Sequence, residues 1–232
     1  RLYRGGRPMP DVEAIIRANV RTPAERLGGL RAQVAANRRA AERMAGLAAK
    51  YGAAELLRIM DAVLDYSEAM MRGALRGLPD GDAVFEDIFD GDGIIEDGDT
   101  ADRTFRVRIA LSKRGDSITA DFAGSDPAVA GPMNAPLSVT ASGVYCALKM
   151  VVDPRSHIPP NSGCWRAVRV TAPPGCVANA QEPSPVVYAN HEMSHRIADM
   201  TFAAMAQLAP DRVMCGSQGT SAVTTFGGVD YR

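Results

Sequence analysis

The chain has 232 residues, 46% of them hydrophobic and 23% charged, and a formal net charge of −1 at pH 7. This is the composition of an ordinary globular protein, long enough for one large domain or two small ones. The composition excludes a collagen-like chain. The balanced charge gives no reason to expect nucleic acid or an anionic membrane as a partner. No stretch reaches the roughly 18 apolar residues of a membrane span, and no signal-peptide pattern opens the chain.

The four cysteines, at positions 146, 164, 176 and 215, form no Cys-x-x-Cys pair. Zinc-knuckle and thioredoxin-type motifs are therefore not supported. Cys146 falls in an apolar helical pattern and is predicted to be a small core residue. A reduced, cytoplasmic protein is the favoured interpretation. A nucleophilic cysteine is the alternative, although no residue pattern indicates an activated thiol.

Charge is unevenly distributed along the chain. Residues 1–50 contain eleven Lys and Arg against four Asp and Glu, whereas residues 80–102 contain ten Asp and Glu and no Lys or Arg. We interpret these stretches as a solvated basic helix face and an acidic loop. The alternative is a pair of complementary patches, within the protein or with a partner.

The first third of the chain predicts helices. Residues 22–25, Thr-Pro-Ala-Glu, match a capping box with proline at the first helical position, although Gly28-Gly29 moves the expected regular start toward Leu30. Tyr51-Gly52 is expected to break the helix. The next helix has apolar residues at three- and four-residue steps before the stop at 77–81: Leu56, Leu57, Met60, Val63, Leu64, Met70, Met71 and Leu75. Together these predict an antiparallel helical hairpin in a helical segment, 1–79.

The middle of the chain predicts strands. Apolar residues alternate with polar ones over 105–111 and 118–122, with a turn between, which predicts a hairpin over 104–123 with one buried face. Residues 84–89 are expected to add a strand before it.

The last third mixes both types. It predicts helices near 138–151 and 190–208, the second capped by Asn190, and strands at 165–170 and 213–215. The order of elements predicts an α+β fold: an N-terminal helical hairpin, followed over 80–232 by a mainly antiparallel sheet region with packed helices.

Residues 191–195 read His-Glu-Met-Ser-His and match a motif in which two histidines, one helical turn apart, bind zinc while the glutamate acts as general base. A catalytic zinc needs a third protein ligand, and no glutamate follows His195. Asp199 lies about 12 Å of helical rise from His191, too far to share one metal. We therefore interpret the motif as a polar helix face and do not favour a zinc protease.

Patterns for other common sites are not matched. In the acidic run 87–93, taking Asp90 as the first calcium ligand puts Ile95 where the loop requires glycine. Phosphate-binding glycine loops and a Gly-x-Ser-x-Gly elbow are missing. Three loops, at 121–134, 158–163 and 216–220, do place Asn, Ser or Gln on turns beside the ends of elements, where binding groups often lie. The alternative is that Asn and Ser are simply good turn residues.

Short stretches in order along nearly the whole chain resemble the hydantoinase B/oxoprolinase family, which includes the B-type components of N-methylhydantoinase, 5-oxoprolinase and related ketone carboxylases. They are residues 19–23, 31–33, 78–81, 121–125, 131–134, 159–163, 173–175, 183–186, 194–199 and 219–228. Two departures stand out. The family tends to have Gly-Asp in place of Gly28-Gly29, and it usually has neither histidine of 191–195, which supports the polar-face interpretation.

The resemblance implies a longer polypeptide. Family members of the B type carry an N-terminal Gly-Thr-His-x-x-Asp type stretch and a second His-x-x-Asp stretch, which look like the metal site, and they extend past a pattern similar to residues 224–228. We therefore expect this sequence to be the central portion of such a polypeptide, with the ligands of a divalent metal outside it.

The resemblance also implies a two-component reaction. ATP is bound by an A-type subunit, which activates the substrate, and the B-type part completes hydrolysis of a cyclic amide such as a hydantoin or 5-oxoproline. Carboxylation of a ketone by the same kind of complex is the second hypothesis. A non-catalytic fragment or interaction module is the third, because the metal-site stretch is missing from this sequence.

The sequence identifies no catalytic residue, but it suggests a substrate site. Asn134 and Asn161 would orient an amide through paired hydrogen bonds, and Arg166 would hold a carboxylate or phosphate. Asp121 and Ser125 would support them. Each of these residues could instead hold loops together.

Overall fold

The computed structural model describes residues 1–94, 103–221 and 228. Ile95 of the calcium-loop comparison, the end of the acidic stretch, and residues 224–227 of the family pattern lie outside this part. The elements are β1 Tyr3–Arg4, β2 Arg7–Pro8, α1 Pro10–Asn19, α2 Pro23–Tyr51, α3 Ala53–Arg76, β3 Gly81–Phe89, β4 Phe105–Arg114, β5 Ser117–Asp121, α4 Leu137–Val152, β6 Val168–Thr171, a π-helical turn Ala189–Met193, α5 Ser194–Leu208 and a 3-10 turn Pro210–Arg212. They form two compact units, Arg1–Ala62 and Val63–Arg232, and α3 crosses the division.

The start of α2 differs from the expected capping box. Thr22 has a left-handed backbone, with φ 48°, and its side chain makes no capping hydrogen bond. An N-cap residue is typically extended, so the left-handed backbone of Thr22 takes it out of capping geometry. The helix nevertheless begins at Pro23 rather than near Leu30, because Gly28 and Gly29 are held within it.

A single residue, Gly52, joins α2 to α3. Its φ of 85° falls in the region that favours glycine. Its N–H donates to the carbonyl of Ala48 at 2.8 Å and its carbonyl accepts from the N–H of Leu56 at 3.0 Å. Apolar side chains on both sides of this joint are 41–61% exposed: Met44, Leu47, Leu57 and Met60. Within residues 1–62 these helices therefore lack the buried seam expected of a packed helical hairpin.

The second unit contains a four-stranded sheet in the order β3-β4-β5-β6. The first three strands are antiparallel, and β6 joins β5 in parallel. The inward residues of β4, from Phe105 to Leu111, are buried as their alternation predicts. The expected α+β class, with a mainly antiparallel sheet and packed helices, is confirmed.

Two helices, α4 and α5, pack closely in this unit. At Gly143 of α4 a Cβ atom would lie 2.9 Å from the carbonyl oxygen of Ser194, so only glycine permits this approach. Apolar residues of both helices belong to the buried core, together with Met193 of the π-helical turn and the C-terminal part of α3: Val144, Ala147, Leu148, Ile197, Met200, Met205, Met71 and Leu75.

Several local expectations are wrong. Cys146 is exposed rather than buried. Asn190 lies inside the π-helical turn and is not a helix cap, since α5 begins only at Ser194. Residues 213–215 form no strand, and β6 begins at Val168 because the preceding residues form turns. In the ranges described, we find no helix with both the length and the apolar character needed to span a bilayer.

Candidate functional site

Asn134 is fully buried and connects loop backbones. Its Oδ1 accepts from the N–H of Val129 at 2.8 Å. Its Nδ2 donates to the carbonyls of Val129, Gly131 and Pro185 at 2.9–3.0 Å. These four contacts use the amide group within the protein.

Asn161 and Arg166 both contact α3. The Nδ2 of Asn161 donates to the hydroxyl of Ser67 at 2.7 Å, and its Oδ1 accepts from the N–H of Gly163 at 2.9 Å. Arg166 donates to Asp65 at 2.8 Å and to Glu68 at 3.1 Å. Hydrogen bonds with Asp65 and then Glu68 raise the pKa of Arg166 above its ordinary value. Both side chains thus anchor the 159–166 segment to the helix.

The two proposed supporting residues contact neighbouring strands. Asp121 accepts from the hydroxyl of Thr171 at 2.9 Å, across the β5–β6 pair. Ser125 accepts from the N–H of Arg108 at 3.0 Å and donates to its carbonyl at 3.2 Å. The five residues therefore serve separate anchors: Asn134 holds one set of loops, and Asn161 and Arg166 hold another. Their role in a substrate pocket stays a prediction.

The cysteines give no sign of an activated thiol at the two buried positions. Burial raises the pKa of the Cys164 and Cys176 thiols, which keeps them protonated.

A cleft lies along α5, beside β3 and a segment that we call the 213–220 segment. Its volume is about 300 Å³, and its lining includes Asp87, Arg196, Asp199 and Ser217. A wider depression of about 530 Å³ adjoins it and shares Asp199 and Ser217. Polar and apolar side chains thus line one continuous concave surface in the second unit.

Arg196 is fixed on one wall of the cleft. Its Nη1 donates to Oδ2 of Asp87 at 2.8 Å, and its guanidinium lies 4.9 Å from the ring centroid of Phe89. Gly219 covers the other side, where its φ is 75° and a Cβ would lie 3.0 Å from Nε of Arg196. In the described part of the chain, Nε is buried without a hydrogen-bond partner. Ring, glycine and carboxylate together hold the guanidinium in place.

Asp199 anchors the 213–220 segment one turn further along α5. Its carboxylate accepts from the N–H of Ser217 at 3.0 Å and from the Ser217 hydroxyl at 2.8 Å. The same hydroxyl accepts from the N–H of Gly219 at 3.0 Å. Because Arg196 and Asp199 are three residues apart, they lie on one face of the helix. A strong donor and a strong acceptor therefore stand side by side in the cleft.

The residues of the His-Glu-x-x-His match make local contacts. Glu192 accepts from the hydroxyl of Thr220 at 2.8 Å, and the backbone carbonyl of His191 accepts from the N–H of Ser221 at 3.2 Å. The Nδ1 of His195 lies 3.4 Å from the Ser221 hydroxyl. Across 1–94, 103–221 and 228, no three His, Cys, Asp or Glu side chains form a group that could hold a metal ion. The described residues do not fit the metal that the resemblance implies.

Sequence reasoning did not select Arg196 and Asp199 as site residues. The stretch 194–199 stood among those that carry the family resemblance, and 216–220 among the polar loops. What the sequence did not reveal is that these two stretches face each other, with Asp87 joining them from 109 positions away in the chain.

Comparison with known proteins agrees with the resemblance. The model of the hydantoinase B/oxoprolinase family matches residues 1–232. The B-type component of a putative D-/L-hydantoinase from Pseudomonas sp. (strain NS671) is 32% identical over 92% of this chain and 36% of the relative. The crystal structure of an ATP-dependent caprolactamase from Pseudomonas jessenii superposes with a TM-score of 0.75 at 29% identity, over 91% of this chain and 35% of that one.

A nucleotide-free structure of acetone carboxylase shares the fold, with a TM-score of 0.80 at 14% identity, over 93% of this chain and 30% of that chain. The chain spans about a third of the length of the hydantoinase component and of the caprolactamase chain. The family match covers every residue of the chain. This chain belongs to the hydantoinase B/oxoprolinase family.

Proposed function

We propose that the chain forms part of the B-type component of an ATP-dependent hydrolase that opens a cyclic amide of the hydantoin or 5-oxoproline type. The observation that carries this proposal is the family match over residues 1–232. The 29% identity to an ATP-dependent caprolactamase, together with its shared fold, supports the amide as the reacting group.

The proposed partner is an A-type subunit that binds ATP. An unstrained cyclic amide is a poor electrophile, and ATP would supply the phosphoryl group that turns its carbonyl oxygen into a leaving group. The role of this chain is then to bind and orient the ring. That role needs a donor for the carbonyl and an acceptor for the N–H.

The cleft along α5 offers such a pair. A small ring forces its amide into the cis form, so the N–H and C=O groups point to the same side. Arg196 and Asp199 stand on one helix face and present a cation and a carboxylate next to each other. We propose that Asp199 accepts from the ring N–H and that Arg196 polarises the carbonyl.

The sequence-based hypothesis is that Asn134, Asn161 and Arg166 line the pocket. It predicts a different effect of substitution from an anchoring role. If Asn161 touches substrate, Asn161→Ala lowers turnover and leaves stability unchanged. If it anchors the 159–166 segment through Ser67, the same variant lowers stability and leaves the Michaelis constant unchanged.

Carboxylation of a ketone is the second candidate function, and the fold shared with acetone carboxylase is the observation that favours it. Product analysis separates the two. The complete B-type polypeptide that contains this chain is expressed together with the A-type subunit. The complex is supplied with ATP and a cyclic amide (caprolactam, hydantoin or 5-oxoproline), or with ATP, acetone and bicarbonate. Ring-opened product supports the hydrolase, and a β-keto acid formed only with bicarbonate supports the carboxylase. If no substrate yields product, the chain is not catalytic and the proposal is wrong.

A further inference from the structure

The charges in the cleft along α5 are unequal. Its lining contains three charged side chains: Asp87, Arg196 and Asp199. Arg196 and Asp87 neutralise each other at 2.8 Å. Over the described part of the chain, no lysine or arginine forms an ion pair with Asp199, whose contacts are the N–H and the hydroxyl of Ser217. The cleft therefore carries one uncompensated negative charge.

Several of the remaining lining residues are apolar, beside polar ones that include Ser217, Gln218 and His195. Phe85 of β3 and Phe202 of α5 line the smaller part, and Cys146 and Met150 of α4 line the wider part. Met214 lines both parts and is 64% exposed, so apolar surface is open to an incoming molecule. Hydrocarbon faces of a small ring would be buried against these side chains.

These two features together define a ligand class. Resting on the proposed function, we propose that of its two ring types the cleft selects the uncharged, hydantoin-like one, and that Asp199 discriminates against rings that bear a carboxylate, such as 5-oxoproline. A neutral ring can donate its N–H to Asp199 and place its methylene groups on the apolar walls. A ring carboxylate would be brought close to the Asp199 carboxylate in a partly desolvated cleft, where like charges repel strongly.

The loop geometry makes Asp199 a suitable discriminating group. Ser217 occupies one acceptor position on each of its two oxygens, and a carboxylate oxygen can accept more than one hydrogen bond. Replacement by asparagine keeps an acceptor for the N–H of Ser217 and a donor toward its hydroxyl. The variant Asp199→Asn thus removes the charge while preserving the anchor of the 213–220 segment.

The test compares 5-oxoproline with 5-oxoprolinamide, which have the same ring and differ in charge. Binding is followed on the isotopically labelled chain through the backbone amide signals of Ser217 and Gly219. Turnover is followed with the A-type subunit and ATP. We expect the neutral amide to bind, and to react, at least about tenfold more effectively than the anion. Asp199→Asn should reduce this preference to within about threefold, and the control Asp211→Asn, an exposed position outside the cleft, should leave it unchanged.

Equal or tighter binding of 5-oxoproline overturns the inference, and so does a preference that survives Asp199→Asn. Failure of the neutral 5-oxoprolinamide to shift the Ser217 and Gly219 signals also overturns it, because the cleft is then not a ring site. The proposed function fails separately: it does so if the complex turns over none of the cyclic amides, hydantoin and caprolactam included, whatever the binding titration shows.

Discussion

The side chain of Asn134 should contribute more to stability than any exposed asparagine in the protein. It is fully buried and makes four hydrogen bonds, to the backbones of Val129, Gly131 and Pro185. Asn134→Ala removes all four and leaves buried backbone groups without partners. A net contribution of about 1 kcal/mol per bond, with the added cost of unpaired groups, predicts a loss of about 3–5 kcal/mol in the free energy of unfolding.

Urea unfolding followed by circular dichroism measures this loss directly. The matched control is Asn179→Ala, a half-buried residue whose Nδ2 donates to the carbonyl of Ala172 and whose Oδ1 accepts from the exposed side chain of Gln181. The control should lose about 1 kcal/mol. A loss below about 1 kcal/mol for Asn134→Ala would refute the anchoring role. If turnover fell sharply at the same time, Asn134 would be a substrate-binding residue, as the sequence pattern suggested.

Three further predictions concern packing and pH. Gly143→Ala should destabilise the protein by about 1–3 kcal/mol in urea, although alanine favours helices, because a Cβ there meets the Ser194 carbonyl. Burial alone would raise the pKa of Asp153, but hydrogen bonds from Lys149 and two backbone amides hold that pKa below its ordinary value. The ionised Asp153 therefore stabilises the protein above about pH 4, and this contribution is lost on acidification. The difference in the free energy of unfolding between the protein and Asp153→Asn should shrink below that pH. Asn161→Ala should lower the thermal midpoint by a few degrees through loss of the Ser67 contact.

The elements that could be predicted from sequence are those in which a local pattern decides the structure. Over 105–111 and 118–122, apolar and polar residues alternate, and this pattern is typical of a strand with one buried face. The structure has such strands there. The apolar stripe of α3 likewise predicted a helix, and Met71 and Leu75 are buried. These elements needed no information about distant residues.

The failures are places where tertiary contacts decide. Helix α4 is apolar on most sides, so its pattern could not show that Cys146 faces solvent while Gly143 faces α5. The π-helical turn at 189–193 has no local signature, and Asn190 resembled a cap for that reason. Asn134 was interpreted as a binding group because its partners come from loops up to 51 positions away. The cleft residues combine β3, α5 and the 213–220 segment, which no local motif connects.

The most direct test of the central claim is the stoichiometry of the complete reaction. The complete B-type polypeptide that contains this chain is combined with the proposed A-type subunit, ATP and a neutral cyclic amide, and ADP and the ring-opened product are quantified together over time. The proposed function predicts that ADP forms only when the amide is present and that the two products accumulate in equal amounts. ADP formation that is independent of the amide, or that requires a ketone and bicarbonate instead, would contradict it.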